Sequence, residues 1–416
     1  MKPWLAVLCV ALSFPSYAEP WPELDHLKAT LARKVAQMEL PNAVIAMSIE
    51  GKTQYFQQTG VLDIEAQTPL PNAPIFRLYS MSKPITSVAI MQLAERGLLD
   101  INDPVSQYIP AFANSQVYVS GDLDNMRLEP QQQPMTIADL LAHRSGITYH
   151  FTGDTPVHQY YRKHGVKRFT PVGSQPGDAP AAPDLATLVQ RLADAPLLSQ
   201  PGTRFDYSYS TTVLGRIVEL ASGQNLENYL QDNILQPLSM HDSSFFVTGT
   251  HLDRFVSNYV FRPDETLLRI ENIDNTDYND RTRLLDGGGA MASTAQDYLR
   301  FAGMLAQRGH LDGQHILSPS SVYRMFYPEV DITWGTPYPF GLGFAIGTPS
   351  SEAAGKVPAG MYGWSGSGNT HFFVDPELEL AVVVMTQVIG DENAVGVKPA
   401  MVQAVSALRQ RLIKER

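Results

Sequence analysis

The chain of 416 residues contains a single cysteine, Cys9, so no intramolecular disulfide can form and a disulfide-stapled scaffold is excluded. Positive charge is also scarce. The 31 Lys and Arg residues form no run, and 42 Asp and Glu leave a net charge of −11. Nucleic acid and anionic membranes both need clustered positive charge, so neither is an expected partner. The ten histidines show no H-x-H or H-E-x-x-H spacing, which argues against a zinc hydrolase, and no metal or cofactor is expected. Gly287-Gly288-Gly289 lacks the Lys-Ser/Thr pair of a phosphate loop, and the G-x-S-x-G elbow of common serine esterases is absent. Apolar residues, in contrast, make up 44% of the chain, enough for a large core in one big or two smaller domains.

The first residues read as a targeting segment. Met1-Lys2 is a positive start, Trp4 to Phe14 is an apolar run too short to span a bilayer, and Ser16-Tyr17-Ala18 ends in a small-x-small cleavage pattern. Residues 1–18 are therefore expected to be a signal peptide, with a periplasmic or secreted product and no stable membrane insertion after its removal. Cleavage would take Cys9 with it and leave no thiol for chemistry.

Leu24, Leu27, Leu31, Val35 and Met38 mark one face of an opening helix over Trp21 to Met38. Ala43 to Glu50 and Thr53 to Gly60 predict a hairpin turning at Gly51-Lys52, and His371 to Val374 with Leu380 to Thr386 predict another before a final helix, Val397 to Ile413. Between these ends the pattern is helical. Ile85 to Glu95, Ile137 to His143, Leu185 to Ala193 and Thr211 to Ala221 have helical spacing, and Gly97, Gly146 and Gly223 stand as C-terminal stops. Polar stretches at 114–134 and 173–183 read as excursions or lids, and 114–134 and 149–183 are expected to shape a pocket rim.

Ser80-Met81-Ser82-Lys83 is the segment with the strongest chemical content. It opens a helix whose buried face carries Ile85, Val88, Ala89 and Leu93, which puts Ser80 at a helix N-terminus with Lys83 one turn on. A serine hydroxyl is a poor nucleophile without an adjacent base, and a lysine desolvated by burial can act as one. Free N–H groups at the helix start suit a developing oxyanion. Taken alone, the four-residue pattern fits an ordinary helix cap beside a solvated lysine better than a catalytic pair. Lys83 is nevertheless the only lysine in the chain with a serine three residues before it.

Two distant segments change the balance. Phe205-Asp206-Tyr207-Ser208-Tyr209 precedes one helix, and Gly363-Trp364-Ser365-Gly366-Ser367-Gly368 precedes a strand. With Ser80 and Lys83 they resemble, in order and spacing, the three active-site motifs of the serine β-lactamase and penicillin-binding protein superfamily, closest to its class C branch and the related family VIII carboxylesterases. Leu98 to Val105, Leu140 to Gly146 and Gly287 to Thr294 look like further segments of that family, so the likeness runs from about Leu31 to Gln387.

The resemblance implies an α/β fold of the β-lactamase/transpeptidase type, an antiparallel sheet flanked by helices with an inserted, mostly helical domain. Residues 19–79 plus 290–416 would form the α/β domain, and 80–289 the helical one, with the active site at their interface. It further implies Ser80 as acylated nucleophile, Lys83 as proton acceptor, and Tyr207 as the group that shares base duty and returns the proton. Backbone N–H groups of Ser80 and Ser367 would form the oxyanion hole, and Trp364, Ser365, Gly366 and Tyr209 would contact substrate. His143 lies in a matching segment and is expected to be structural.

The chain departs from the penicillin-recognising pattern at two positions. The second motif ends in Tyr209 instead of Asn, and the third begins with Trp364 instead of Lys. The missing lysine forgoes a charge-assisted hydrogen bond to a penicillin carboxylate, worth about 1.5–3 kcal/mol. An aromatic wall favours an uncharged acyl or alcohol group. Acyl transfer from small esters, to water or another acceptor, is therefore expected ahead of D-amino-acid peptidase or β-lactamase activity on peptides, amides or β-lactams. A non-catalytic ligand-recognition protein is the remote alternative, disfavoured because Ser80, Lys83 and Tyr207 are all retained.

Overall fold

A computed structural model describes residues 21–169 and 176–416. The expected signal segment at 1–18 and the centre of the 149–183 excursion lie outside the described residues. The main sheet has nine strands: β1 (Asn42–Ile49), β2 (Lys52–Asp63), β3 (Thr68–Pro69), β4 (Val330–Ile332), β5 (Tyr338–Phe340), β6 (Ala345–Ile346), β7 (Tyr362–Gly366), β8 (Thr370–Asp375) and β9 (Leu380–Met385). Their order is β4-β5-β6-β7-β8-β9-β1-β2-β3, with every neighbouring pair antiparallel. The N-terminal hairpin thus docks on the C-terminal one, with Val44 opposite Met385 and Ile49 opposite Leu380. Both expected hairpins form. β8 and β9 are buried along their whole length, and β1 up to its last residue. Burial on both faces is why these strands read as apolar runs without a polar alternation.

The helices that frame the site are α1 (Pro22–Ala36), α2 (Ser82–Glu95), α3 (Ile137–Leu141), α4 (Ser210–Ser222), α5 (Ala295–Ala306) and α6 (Val397–Glu415). α1 packs on α6 and on β1 and β2, whereas α5 lies against β1, β8 and β9. The antiparallel sheet with flanking helices agrees with the expected fold class. α2 is buried from Ser82 to Leu93, and it packs against α4. Ile85, Val88, Ile90 and Leu93 are each fully buried, which contributes about 1.5–3 kcal/mol apiece and offsets the burial of Lys83 on the same helix. Gly97, Gly146 and Gly223 all take positive φ, as helix stops do.

Residues 80–289 are not wholly helical. The stretch 114–134 folds as a hairpin of Gln116–Ser120 with Arg127–Pro130. Asn258–Phe261 pairs antiparallel with Leu267–Glu271 and parallel with Val388–Ile389, so a small sheet ties this part of the chain to its C-terminal part. Among the described residues no helix is long and apolar enough to cross a membrane.

One buried ion pair anchors the approach to Ser80. The short strand Phe76–Arg77 pairs with Ala292–Ser293, and Arg77, fully buried, sits 2.9 Å from Glu271 while donating to the Val256 carbonyl at 2.7 Å. Removing one partner strands a buried charge. Glu271→Gln is expected to destabilise the fold by about 3–5 kcal/mol, read as a lower melting temperature. An unchanged melt would mean that water already solvates Arg77.

Candidate active site

The chain turns sharply at Tyr79, whose φ of +46° is rare for a residue with a side chain. Asn258 donates to its phenol at 2.7 Å and so helps hold that conformation. Tyr79 to Met81 make a single 3-10 turn that runs straight into α2, which leaves Ser80 half-buried at the helix start. β7 closes on the same point. A Cβ on Gly366 would lie 2.2 Å from the Leu78 carbonyl oxygen, so only glycine lets the strand pass this close. The exposed Ser367 follows at once, and it borders one cavity together with Ser80, Tyr207, Trp364, Ser365 and Gly366. That cavity has a volume of about 360 Å³.

Lys83 is 1% exposed and donates from Nζ to Ser80 Oγ at 3.2 Å, to the Tyr149 phenol oxygen at 2.9 Å and to the Gly288 carbonyl at 2.6 Å. Burial lowers its pKa to about 7, with Asp286 pulling upward and Arg168 downward. A large share of Lys83 is therefore neutral near pH 7. Tyr207 packs beside it, with the ammonium 4.7 Å from its ring centre. Burial pushes the Tyr207 phenol well above its ordinary value, while hydrogen bonds from Ser80 and Trp364 work the other way, the indole nitrogen of Trp364 donating at 3.3 Å. At neutral pH this phenol keeps its proton. The arrangement joins a hydroxyl, a buried amine that is partly neutral and a protonated phenol around one cavity wall, a set suited to nucleophilic acyl chemistry.

The glycine run 287–289 serves this cluster. A Cβ on Gly287 would meet Thr86 Oγ1 at 2.7 Å, so the loop lies directly on α2 and its Gly288 carbonyl reaches Lys83. Asp286, 1% exposed, holds the loop. It accepts from Gly288 N at 2.8 Å and Thr212 Oγ1 at 2.6 Å and pairs with Arg168 Nε at 2.9 Å. Asp286 and Arg168 thus act on Lys83 through both geometry and field.

The residues singled out from sequence fall into two groups. Ser80, Lys83, Tyr207, Trp364, Ser365, Gly366 and Ser367 come together. Trp364 packs on Phe340 at 5.0 Å and Tyr207 at 5.6 Å, and Ser365 Oγ is 2.9 Å from His371 Nδ1. Tyr209 does not join them. It is 1% exposed, lies behind Tyr149 at 4.3 Å between rings, and bonds through its phenol to His150 Nδ1 at 2.9 Å, so it cannot contact a ligand in the cavity. His143 is buried, bonded to Ser208 at 3.0 Å and packed on Tyr207 at 4.8 Å, with burial holding its pKa well below the usual histidine value. It supports the Tyr207 ring.

Tyr149 is the main residue that sequence reasoning missed. Expected on a pocket rim, it is 6% exposed and bonded to Lys83, because its ring fills the space between Tyr207 and Tyr209. Asp286, Arg168, Trp334, Tyr338, Lys356, Glu392 and Lys398 were also not foreseen. The last five line the cavity, and no local motif marks them.

The sequence model of the Beta-lactamase family matches residues 27–405. An uncharacterized protein of Mycobacterium tuberculosis is 31% identical over 379 residues, covering 88% of this chain and 90% of that protein. Esterase EstB of Burkholderia gladioli is 27% identical over 378 residues, covering 86% and 89%. Among solved structures, EstCE1, described as a hydrolase with promiscuous acyltransferase activity, superposes with a TM-score of 0.75 at 24% identity and covers 93% of this chain and 99% of its own.

Proposed function

Because the chain belongs to the beta-lactamase family, we propose that it is a serine hydrolase that takes acyl groups from small carboxylic esters through an acyl-enzyme on Ser80 and passes them to water or another acceptor. The observation that carries this is the contact of Ser80 Oγ with a buried Lys83 whose pKa lies near 7. Neutral Lys83 takes the hydroxyl proton as Oγ attacks the ester carbonyl. The oxyanion is held by the N–H groups of Ser80 and Ser367. Collapse of the tetrahedral intermediate breaks the ester C–O bond. Tyr207 gives its proton to the departing alkoxide and recovers one from the Lys83 ammonium. A second acceptor then repeats the sequence in reverse and frees Ser80. The names of the esterase EstB and the acyltransferase-active EstCE1 support acyl chemistry of this kind.

Trp364 inclines the choice toward esters over penicillins, because an indole beside Tyr207 offers burial and no charge where a carboxylate would need a cation. The N-terminal segment of residues 1–18 supports action in the periplasm or outside the cell. A panel of neutral p-nitrophenyl esters, D-alanyl-D-alanine peptides and penicillins, read by intact mass, tests the choice. Acyl adducts on Ser80 are expected from the esters. Adducts from the penicillin or the peptide alone would overturn the assignment in favour of a cell-wall enzyme.

A further inference from the structure

The cavity that holds Ser80 is not uniformly neutral. Besides Trp364 its wall carries Lys356, Lys398 and Glu392. Lys398 donates both its described hydrogen bonds to the Glu392 carboxylate, at 3.0 and 3.2 Å, whereas Lys356 stands 3.9 Å from the same group, beyond hydrogen-bond range. Two ammonium groups against one carboxylate leave one positive charge without a counter-charge within the cluster. His371 adds none, since burial lowers its pKa to about 3 and keeps it neutral. Lys398 is 7% exposed and sits in the first turn of the 19-residue helix α6, whose first turn contains no acidic residue. The free N–H groups there add to the positive potential. The Glu392 charge also helps to raise the phenols of Tyr207 and Tyr338, which puts this cluster within electrostatic reach of the reacting end.

We infer that Lys356 and Lys398 form an anion subsite, and that the preferred ester carries a carboxylate set several atoms from the scissile bond. This rests on the ester-cleaving role of Ser80 and names the class of substrate it takes. Trp364 excludes charge beside the reacting carbonyl, Trp334 and Tyr338 cover an apolar spacer, and the ammonium pair receives the acid. Lys356 is free to turn toward a ligand. Lys398 holds three N–H donors and gives two of them to Glu392, so a third remains for an incoming carboxylate. Glu392 competes with that carboxylate and so sets the selectivity.

The test uses three substrates: p-nitrophenyl butyrate, mono-p-nitrophenyl glutarate with the acid on the acyl side, and 4-butyryloxybenzoate with the acid on the alcohol side. At least one acid is expected to exceed its neutral counterpart in kcat/KM, with the advantage shrinking as salt is added. Lys398→Met should lower the acid-over-neutral ratio about tenfold through KM, Lys356→Met should lower it severalfold, and Glu392→Gln should raise it. Ratios that do not move in Lys356→Met and Glu392→Gln would overturn the subsite. Lys356 is half-exposed and Glu392 lies at the cavity wall, so neither variant depends on Lys398 tolerating replacement. If the wild-type protein cleaves none of the three esters, the ester-cleaving role itself fails. If it cleaves p-nitrophenyl butyrate without preference for either acid, only the subsite fails.

Discussion

Ser80→Ala is expected to lower kcat/KM for p-nitrophenyl butyrate by at least about 10⁴-fold, because Ser80 is the cavity serine whose hydroxyl contacts the buried amine of Lys83. The substitution removes one oxygen whose partners are Lys83 and Tyr207, so the fold should be intact and the melting temperature close to that of the wild type. The cavity, its oxyanion donors and the Lys83–Tyr149 bond would all remain. Whatever slow turnover persists then measures binding and oxyanion stabilisation without the nucleophile. The acyl adduct should vanish from the intact-mass spectrum at the same time. Turnover within tenfold of the wild type would exclude the acyl-enzyme and point to a directly activated water.

Lys83→Met should cost about 10²–10⁴ in kcat, the usual worth of a positioned base. The pH dependence is the more specific readout. Only neutral Lys83 can accept the serine proton, so wild-type kcat/KM should rise with pH through about 7 and then level off. The variant should lose that limb along with the rate. Stability moves in a related way. The folded pKa lies near 7 against an ordinary 10.5, so between those values the unfolded chain holds a proton that the folded one lacks, and stability grows with pH across that window. Below about pH 7 both states are protonated, and the cost of the buried ammonium is present in full. Lys83→Met removes that cost, so its melting temperature at pH 6 should be no lower than the wild type's. A variant that keeps the rising limb would assign it to another group.

Much of this architecture was legible because it is local. The hairpins at 42–63 and 370–385 announce themselves by apolar strands bracketing short turns, and α2 by its buried face after Pro84. Other segments mislead for an equally physical reason. The stretch 114–134 is polar and Pro-bearing, which resembles a loop, yet it pairs as a hairpin once Val117 packs inward. Tyr149 sits in a segment without periodicity, and its partner Lys83 is 66 positions away. Tyr209 shares a motif with Tyr207, but two positions at the start of α4 turn its ring to the other side, toward His150.

The sequence by itself determined that a serine and a lysine stand one helical turn apart and which segments form two hairpins of the central sheet, and the family likeness put Trp364 in the place of a lysine. The first two follow from covalent spacing and from the periods of helix and strand, and the third from the resemblance of motif order. Only the tertiary structure decided that Lys83 is buried with a pKa near 7 and held by the Gly288 carbonyl 205 positions away. The tertiary structure likewise decided that Asp286 and Arg168 set its field and that Lys356 and Lys398 share the cavity of Ser80. Desolvation and charge proximity are properties of packed neighbours, and they arise only when segments far apart in the chain are brought out of water together.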